Sequence, residues 1–276
     1  MHTGQPSRTA LFVANARARH QADENRIFTD PLAVRILGDE YLASSAEFDQ
    51  GQSGELVRAR ELFMNARSRF ADDTVTAAVA AGTDQVVILG AGLDTTAYRH
   101  TIHARFFEVD HPDTQEWKRH RLAKAEIAIP ASLTFTPVDF EQSSLEAALE
   151  ESGLDRTRRT LFIWLGVTMY LTEASVFETL HYIATGPSQL VFDYFYPLDS
   201  AGDLTGTQLR NRAKLVERAG EPWRSFFTAA EIATILTKLG FQEIEDSSAS
   251  ELLATYGVRI SRSTDSGPHL IHTCTV

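Results

Sequence analysis

"VVILGAGLDTTAYRH", residues 86–100, runs four apolar residues straight into Gly-Ala-Gly, then an acid, two threonines, a tyrosine and an arginine. A short apolar run that stops at glycines predicts a buried strand and a tight turn. Working outward, similar runs occupy 105–109, 133–138, 160–165 and 189–194, with helical segments expected over 113–128, 143–152 and 173–185. Apolar strands alternating with helices predict a parallel sheet covered on both faces. Upstream, Leu11, Val13, Ala14 and Ala18 suit an amphipathic helix, and "TDPLAVRIL" (29–37) suggests a Pro-started helix behind a Thr or Asp cap. Residues 44–56 are polar and read as a loop; 55–82 follow a helical period and stop at Gly82. Downstream come a polar helix (203–219), a helix–Gly–strand unit in "TAAEIATILTKLGFQEIED" and a final alternating strand in "HLIHTCTV". The expected fold is α/β: a doubly wound, Rossmann-like sheet over residues 83–276 with an N-terminal helical cap over 1–82.

Composition narrows the function classes. The 276 residues are 43% hydrophobic and 23% charged, and 26 basic against 37 acidic side chains give −11. No strongly basic run is present, so nucleic acid is not expected as a partner. The single cysteine, Cys274, excludes a disulfide framework within the chain and a cysteine-rich zinc site. Nine histidines without an H-x₃-H spacing predict no metal, and no G-x-S-x-G nucleophile motif is present. Near the N-terminus, Asn15, Arg17 and Arg19 interrupt the apolar residues, which argues against a signal-peptide core. No stretch reaches the roughly 20 apolar residues of a membrane span. A cytoplasmic protein without a membrane partner is expected.

The glycine turn has three readings: a phosphate cradle, a nucleoside site, or only a turn. A dinucleotide fingerprint needs a third glycine, and Thr95 stands there. Asp94 adds a negative charge that a pyrophosphate would meet unfavourably. Asp110 follows the next strand, 18 residues after Gly92, where an acceptor for a ribose diol belongs. It also stands where a helix cap would, before Pro112. Taken together, the glycines and Asp110 point to a nucleoside without phosphates, such as S-adenosylmethionine.

"VVILGAGLDTTAYR", "FFEVDHPDTQEWKR", "PVDFEQ" and "WLGVTMYL", in that order, resemble the leucine carboxyl methyltransferase-like group of S-adenosylmethionine-dependent methyltransferases, and the bacterial branch with polyketide carboxyl O-methyltransferases in particular. The resemblance runs over about residues 7–246 and includes "RTALFVANARARH", "DPLA", "NARSRFADD" and "GEPWRSFFTAAEIATILTKLGFQ". It implies a seven-stranded sheet whose last strand is inserted antiparallel. It implies S-adenosyl-L-methionine as cofactor, with Gly90, Ala91 and Gly92 against its methionine part. Asp110 would meet the ribose hydroxyls, and the adjoining His111 is a further cofactor-binding candidate. Asp139 and Phe140 would hold the adenine, and Arg67 the cofactor carboxylate. Leu165 stands where the family carries a glutamate near the cofactor amine, and Thr96 where it carries an arginine.

A carboxylate acceptor needs only orientation, for which Arg17, Tyr170, Tyr194 and Tyr196 are candidates. A phenol acceptor would need a base, for which His111 and His20 are candidates. No catalytic residue is assigned. The aromatic stripe Phe192, Tyr194, Phe195 and Tyr196 suits either an aromatic metabolite or the core. The expected activity is O-methylation of a carboxylate, or a phenol, of a small-molecule or polyketide-like acceptor, or of a peptide-terminal carboxylate. The alternatives are an NAD-dependent oxidoreductase and a non-catalytic nucleoside-binding protein.

Overall fold

A computed structural model describes residues 7–42, 53–140, 143–199, 203–218, 220–260 and 267–275. The chain opens with α1 (Arg8–His20), α2 (Ala33–Leu37), α3 (Asp39–Leu42) and the long α4 (Gly54–Ala80). Side chains of Ser7 and Ser53 accept N–H groups at the starts of α1 and α4, supplying partners the first helical turn lacks. Gly82, at φ +99°, lies just past the end of α4. The α2 helix starts later than its sequence suggests. Pro31 lies in a turn before it, and the Asp30 carboxylate accepts the Leu32 N–H at 3.0 Å. Most of the expected loop at 44–56 lies outside the described residues, and its last residues belong to α4.

Strand–helix alternation follows: β1 (Gln85–Leu89), α5 (Thr96–Arg99), β2 (Arg105–Asp110), α6 (Pro112–Lys124), β3 (Leu133–Pro137), α7 (Leu145–Glu151) and β4 (Thr160–Trp164). A 3-10 turn (Thr168–Tyr170) leads to α8 (Glu173–Ala184), β5 (Ser188–Phe195), α9 (Asp203–Arg218), α10 (Ala229–Leu239), β6 (Gln242–Ser248), α11 (Ala249–Thr255) and β7 (Pro268–Cys274). The strands form one seven-stranded sheet in the order β3-β2-β1-β4-β5-β7-β6. β7 pairs antiparallel with both β5 and β6, and the other pairings are parallel.

Every residue of β1 and β4 is buried, as a sheet covered on both faces requires. One face packs Val87, Leu89, Phe162 and Trp164 against Leu180 of α8 and Leu236 of α10. The other packs Val86, Ile88 and Ile163 against Phe63, Ala66 and Val75 of α4 and Leu253 of α11. The α4 helix is thus a layer of the fold. The register pairs Leu89 with Val109 and Ile88 with Ile163, so the carboxyl ends of β2, β1 and β4 form one rim. Strand order reverses between β1 and β4, and the crevice for a ligand opens there.

Candidate functional site

A cavity of about 760 Å³ lies over this rim. It is in the range of small-molecule sites. Gly90 and Gly92 line it, at φ +64° and +45°. A Cβ on Gly90 would come within 2.3 Å of Val167 Cγ2, and one on Gly92 within 3.1 Å of Ala10 Cβ. The glycines therefore make room for the chain's own neighbours. The turn's N–H groups are also spent: Gly90 and Ala91 donate to the Val109 carbonyl and Gly92 to Asp110. None of these three is left to cradle a pyrophosphate, and the following helix, α5, is only four residues long. Thr95, in the third-glycine position, donates its hydroxyl to Asp30 at 2.7 Å.

The Asp110 carboxylate accepts the Gly92 N–H at 2.5 Å and the His111 N–H at 2.7 Å. Burial pushes its carboxyl above the ordinary range, against the pull of those two bonds. Each oxygen keeps further lone pairs that can accept. His111 accepts the Asp113 N–H on Nδ1 as the α6 cap, and its Nε2 lies 4.0 Å from Asp139. Asp139 and Phe140, just beyond β3, complete this end of the cavity.

Arg67 extends from α4 into the cavity wall and is 5% exposed. Its Nη1 donates to Asp193 Oδ2, and Asp193 Oδ1 accepts the Gly166 N–H at 2.6 Å. Leu165 lines the cavity beside them. Asp193 escapes the sequence reading, although an acid inside the apolar strand "QLVFDY" is itself a signal, since a buried charge needs a partner.

The opposite end of the cavity is walled by Phe12, Met64, Met169, Tyr170, Phe195 and Trp223, with Arg60, Arg212 and Arg224. The guanidiniums of Arg60 and Arg212 lie 4.7 and 4.5 Å from the Phe12 ring centroid. Burial pushes the Tyr170 phenol up, so it stays a donor at neutral pH. Arg17 lines the cavity too, but its Nη2 donates to the Leu93 carbonyl at 2.5 Å and its Nη1 lies 3.6 Å from Asp94.

Tyr194 is not part of the wall: it is buried in the core and donates to Asp246 at 2.7 Å. Tyr196 stacks on Tyr194, and its hydroxyl accepts the Ala229 N–H. Of the aromatic stripe, only Phe195 lines the cavity. His20 is buried, its Nε2 accepting the Ile27 N–H and its Nδ1 facing Asp23. Among the described residues no group of three His, Cys, Asp or Glu is placed to hold a metal, and no helix is long and apolar enough to cross a membrane.

The site fits an adenosine-bearing sulfonium on two observations: a buried carboxylate at the β2 end, and a buried arginine in the cavity wall whose Nε makes no hydrogen bond among the described residues. Comparison with known proteins agrees. The chain is 30% identical over 279 aligned positions to the Bacillus subtilis protein named "Putative S-adenosyl-L-methionine-dependent methyltransferase YktD", covering 91% of each. It is 31% identical to a Saccharopolyspora erythraea protein of the same class name, covering 75% of this chain and 72% of that one. A crystal structure from Thermobifida fusca superposes with a TM-score of 0.65 at 16% identity, over 99% of this chain and 96% of that one. Magnesium protoporphyrin IX methyltransferase from Synechocystis, solved with S-adenosylhomocysteine, gives 0.50 at 15% identity over 84% and 91%. These two likenesses speak to the fold. The family model described as Leucine carboxyl methyltransferase matches residues 10–184, and the chain belongs to that family.

Proposed function

We propose that this chain, an S-adenosylmethionine-dependent methyltransferase, methylates a carboxylate oxygen of a small-molecule acid with an apolar or aromatic body. One observation carries the choice of acceptor. The acceptor end of the cavity offers arginines and apolar rings, and the Glu221 carboxylate there accepts the Arg8 and Thr9 N–H groups, while both histidines considered as bases are committed elsewhere: His111 caps α6 at the nucleoside end and His20 is bonded on both nitrogens. A carboxylate is already ionised and needs no base, whereas a phenol does.

The bound cofactor supplies an electrophilic methyl group on its sulfonium. In this reading Asp110 accepts the ribose hydroxyls, Asp139 and Phe140 hold the adenine, and Arg67 meets the cofactor carboxylate. Arg60, Arg212 and Arg224 orient the acceptor, and Tyr170 donates a hydrogen bond to it. The protein's contribution is placement in line, because the leaving thioether takes no proton. In the N-terminal segment expected as a cap, α1 walls the cavity from outside the sheet, whereas α4 joins the sheet in the core that holds the cofactor. A cytoplasmic enzyme of secondary metabolism suits this reading, and the spent N–H groups of the turn disfavour an oxidoreductase using NAD.

The test is a screen of aromatic and polyketide-like acids for a gain of about 14 Da with enzyme and S-adenosylmethionine. A methyl ester releases methanol in mild alkali. A product that resists alkali is an ether and overturns the carboxylate reading, and a screen without any methylated product overturns the choice of acceptor class.

A further inference from the structure

Arg67 reaches the cavity from a helix face otherwise packed into the apolar core. A guanidinium that is 5% exposed needs a counter-charge inside the protein. Asp193, wholly buried and behind the cavity wall, supplies it. Its two oxygens are divided: one takes the Arg67 Nη1 bond, the other the Gly166 N–H. Its own carbonyl accepts the Thr168 hydroxyl at 2.6 Å, so the aspartate is anchored through backbone and side chain.

Two features go beyond charge balance. Arg67 Nε is buried and makes no hydrogen bond among the described residues, so the Asp193 pair does not saturate the guanidinium. Gly166 also provides the seat for the guanidinium: it sits at φ +74°, and a Cβ there would come within 2.9 Å of Arg67 Nη2. An arginine held by one nitrogen presents its remaining donors in a fixed fork, the geometry that a carboxylate matches.

We infer that Asp193 is a positioning residue of the cofactor site: with Gly166 it fixes the guanidinium of Arg67 so that the remaining N–H groups face the carboxylate of the cofactor's amino-acid tail. The inference rests on the role given to Arg67 above. Without the clamp a long side chain must be ordered at the moment of binding, and affinity falls for the part of the ligand that Arg67 touches.

Calorimetry with S-adenosylhomocysteine and with 5′-methylthioadenosine, which lacks the amino-acid tail, tests it. Asp193→Asn keeps an acceptor for Gly166 and removes the charge. The expected result is about tenfold weaker S-adenosylhomocysteine binding with 5′-methylthioadenosine unchanged. Unchanged or tighter S-adenosylhomocysteine binding overturns the inference, because the aspartate would then only dilute the arginine's charge. Equal weakening of both ligands also overturns it, because the role would then be structural.

Arg67→Gln separates the two layers of the argument. If that variant keeps the wild-type affinity ratio of the two ligands, the role of Arg67 itself is wrong. If it lowers the ratio and Asp193→Asn does not, only the positioning role falls. Should Asp193→Asn fail to fold, Arg67→Gln/Asp193→Asn removes the stranded charge. S-adenosylhomocysteine affinity equal to that of Arg67→Gln supports the inference, and a further tenfold loss, on the order of one more charge-assisted bond, overturns it.

Discussion

The Asp110 carboxylate accepts the Gly92 N–H at 2.5 Å, so the end of β2 holds the turn that follows β1. One side chain shapes the turn and, in the proposed reading, offers its remaining lone pairs to the ribose. Asp110→Ala removes both contributions. S-adenosylhomocysteine affinity is expected to fall about hundredfold, the worth of two charge-assisted hydrogen bonds. Calorimetry checks this, and an unchanged affinity removes the ribose assignment.

The same carboxyl makes binding pH-dependent. Burial raises it in the folded protein, so it takes up a proton at higher pH than an exposed aspartate. Ribose hydroxyls donate to the ionised form, so affinity should fall as the medium is acidified, starting above the ordinary value of about 3.9. Its effect on folding has the opposite sense. The folded state holds that proton more tightly than the unfolded chain, so this group favours the fold at low pH and loses that contribution as pH rises. Titrating affinity and urea stability in parallel separates the two.

Gly90→Ala is expected to destabilise by about 3 kcal/mol, because it combines a strained positive φ with overpacking against Val167. Adding Val167→Ala relieves the overpacking and leaves the backbone strain, so the double variant should recover part of the loss in thermal melts. Full recovery would mean that the conformation carries no cost.

Lys118 donates to Glu108 at 2.7 Å, with both side chains 1% exposed. Burial pushes the Glu108 carboxyl up to about 7 despite that partner. Folding therefore favours its protonated form, and stability from this group declines as pH rises from the ordinary carboxylate range towards 7. Lys118→Met leaves the carboxylate alone and raises it further, extending the decline. Urea denaturation should show a small loss at pH 6 and a loss of about 3 kcal/mol at pH 8. Equal losses at both would show that Glu108 finds another partner.

Arg212 lines the cavity beside Phe12, at the end proposed for the acceptor. Arg212→Leu is expected to raise the acceptor KM about tenfold, the worth of one charge-assisted bond. S-adenosylhomocysteine affinity should stay as in the wild type. A parallel loss of cofactor affinity would place Arg212 in the cofactor site.

The sheet, most of its helices and the buried acid at the end of β2 were legible along the chain, because each depends on residues near one another: an apolar run, a glycine stop, an acid after a strand. The α11 helix carries a local signal too, its Ser248–Glu251 capping box. The wall of the site was not legible. In β5 nearly every residue is buried, so the period of two that tells faces apart is erased, and Tyr194 reads the same as Phe195 although only the second lines the cavity. Arg17 reads as an acceptor contact, yet its guanidinium is turned to the Leu93 carbonyl and Asp94. The pairing of Arg67 with Asp193 spans 126 positions. Local chemistry determined the elements and the nucleoside signature. Only the folded chain decided which buried charges meet, because a buried charge is satisfied by whatever packing brings within hydrogen-bond reach.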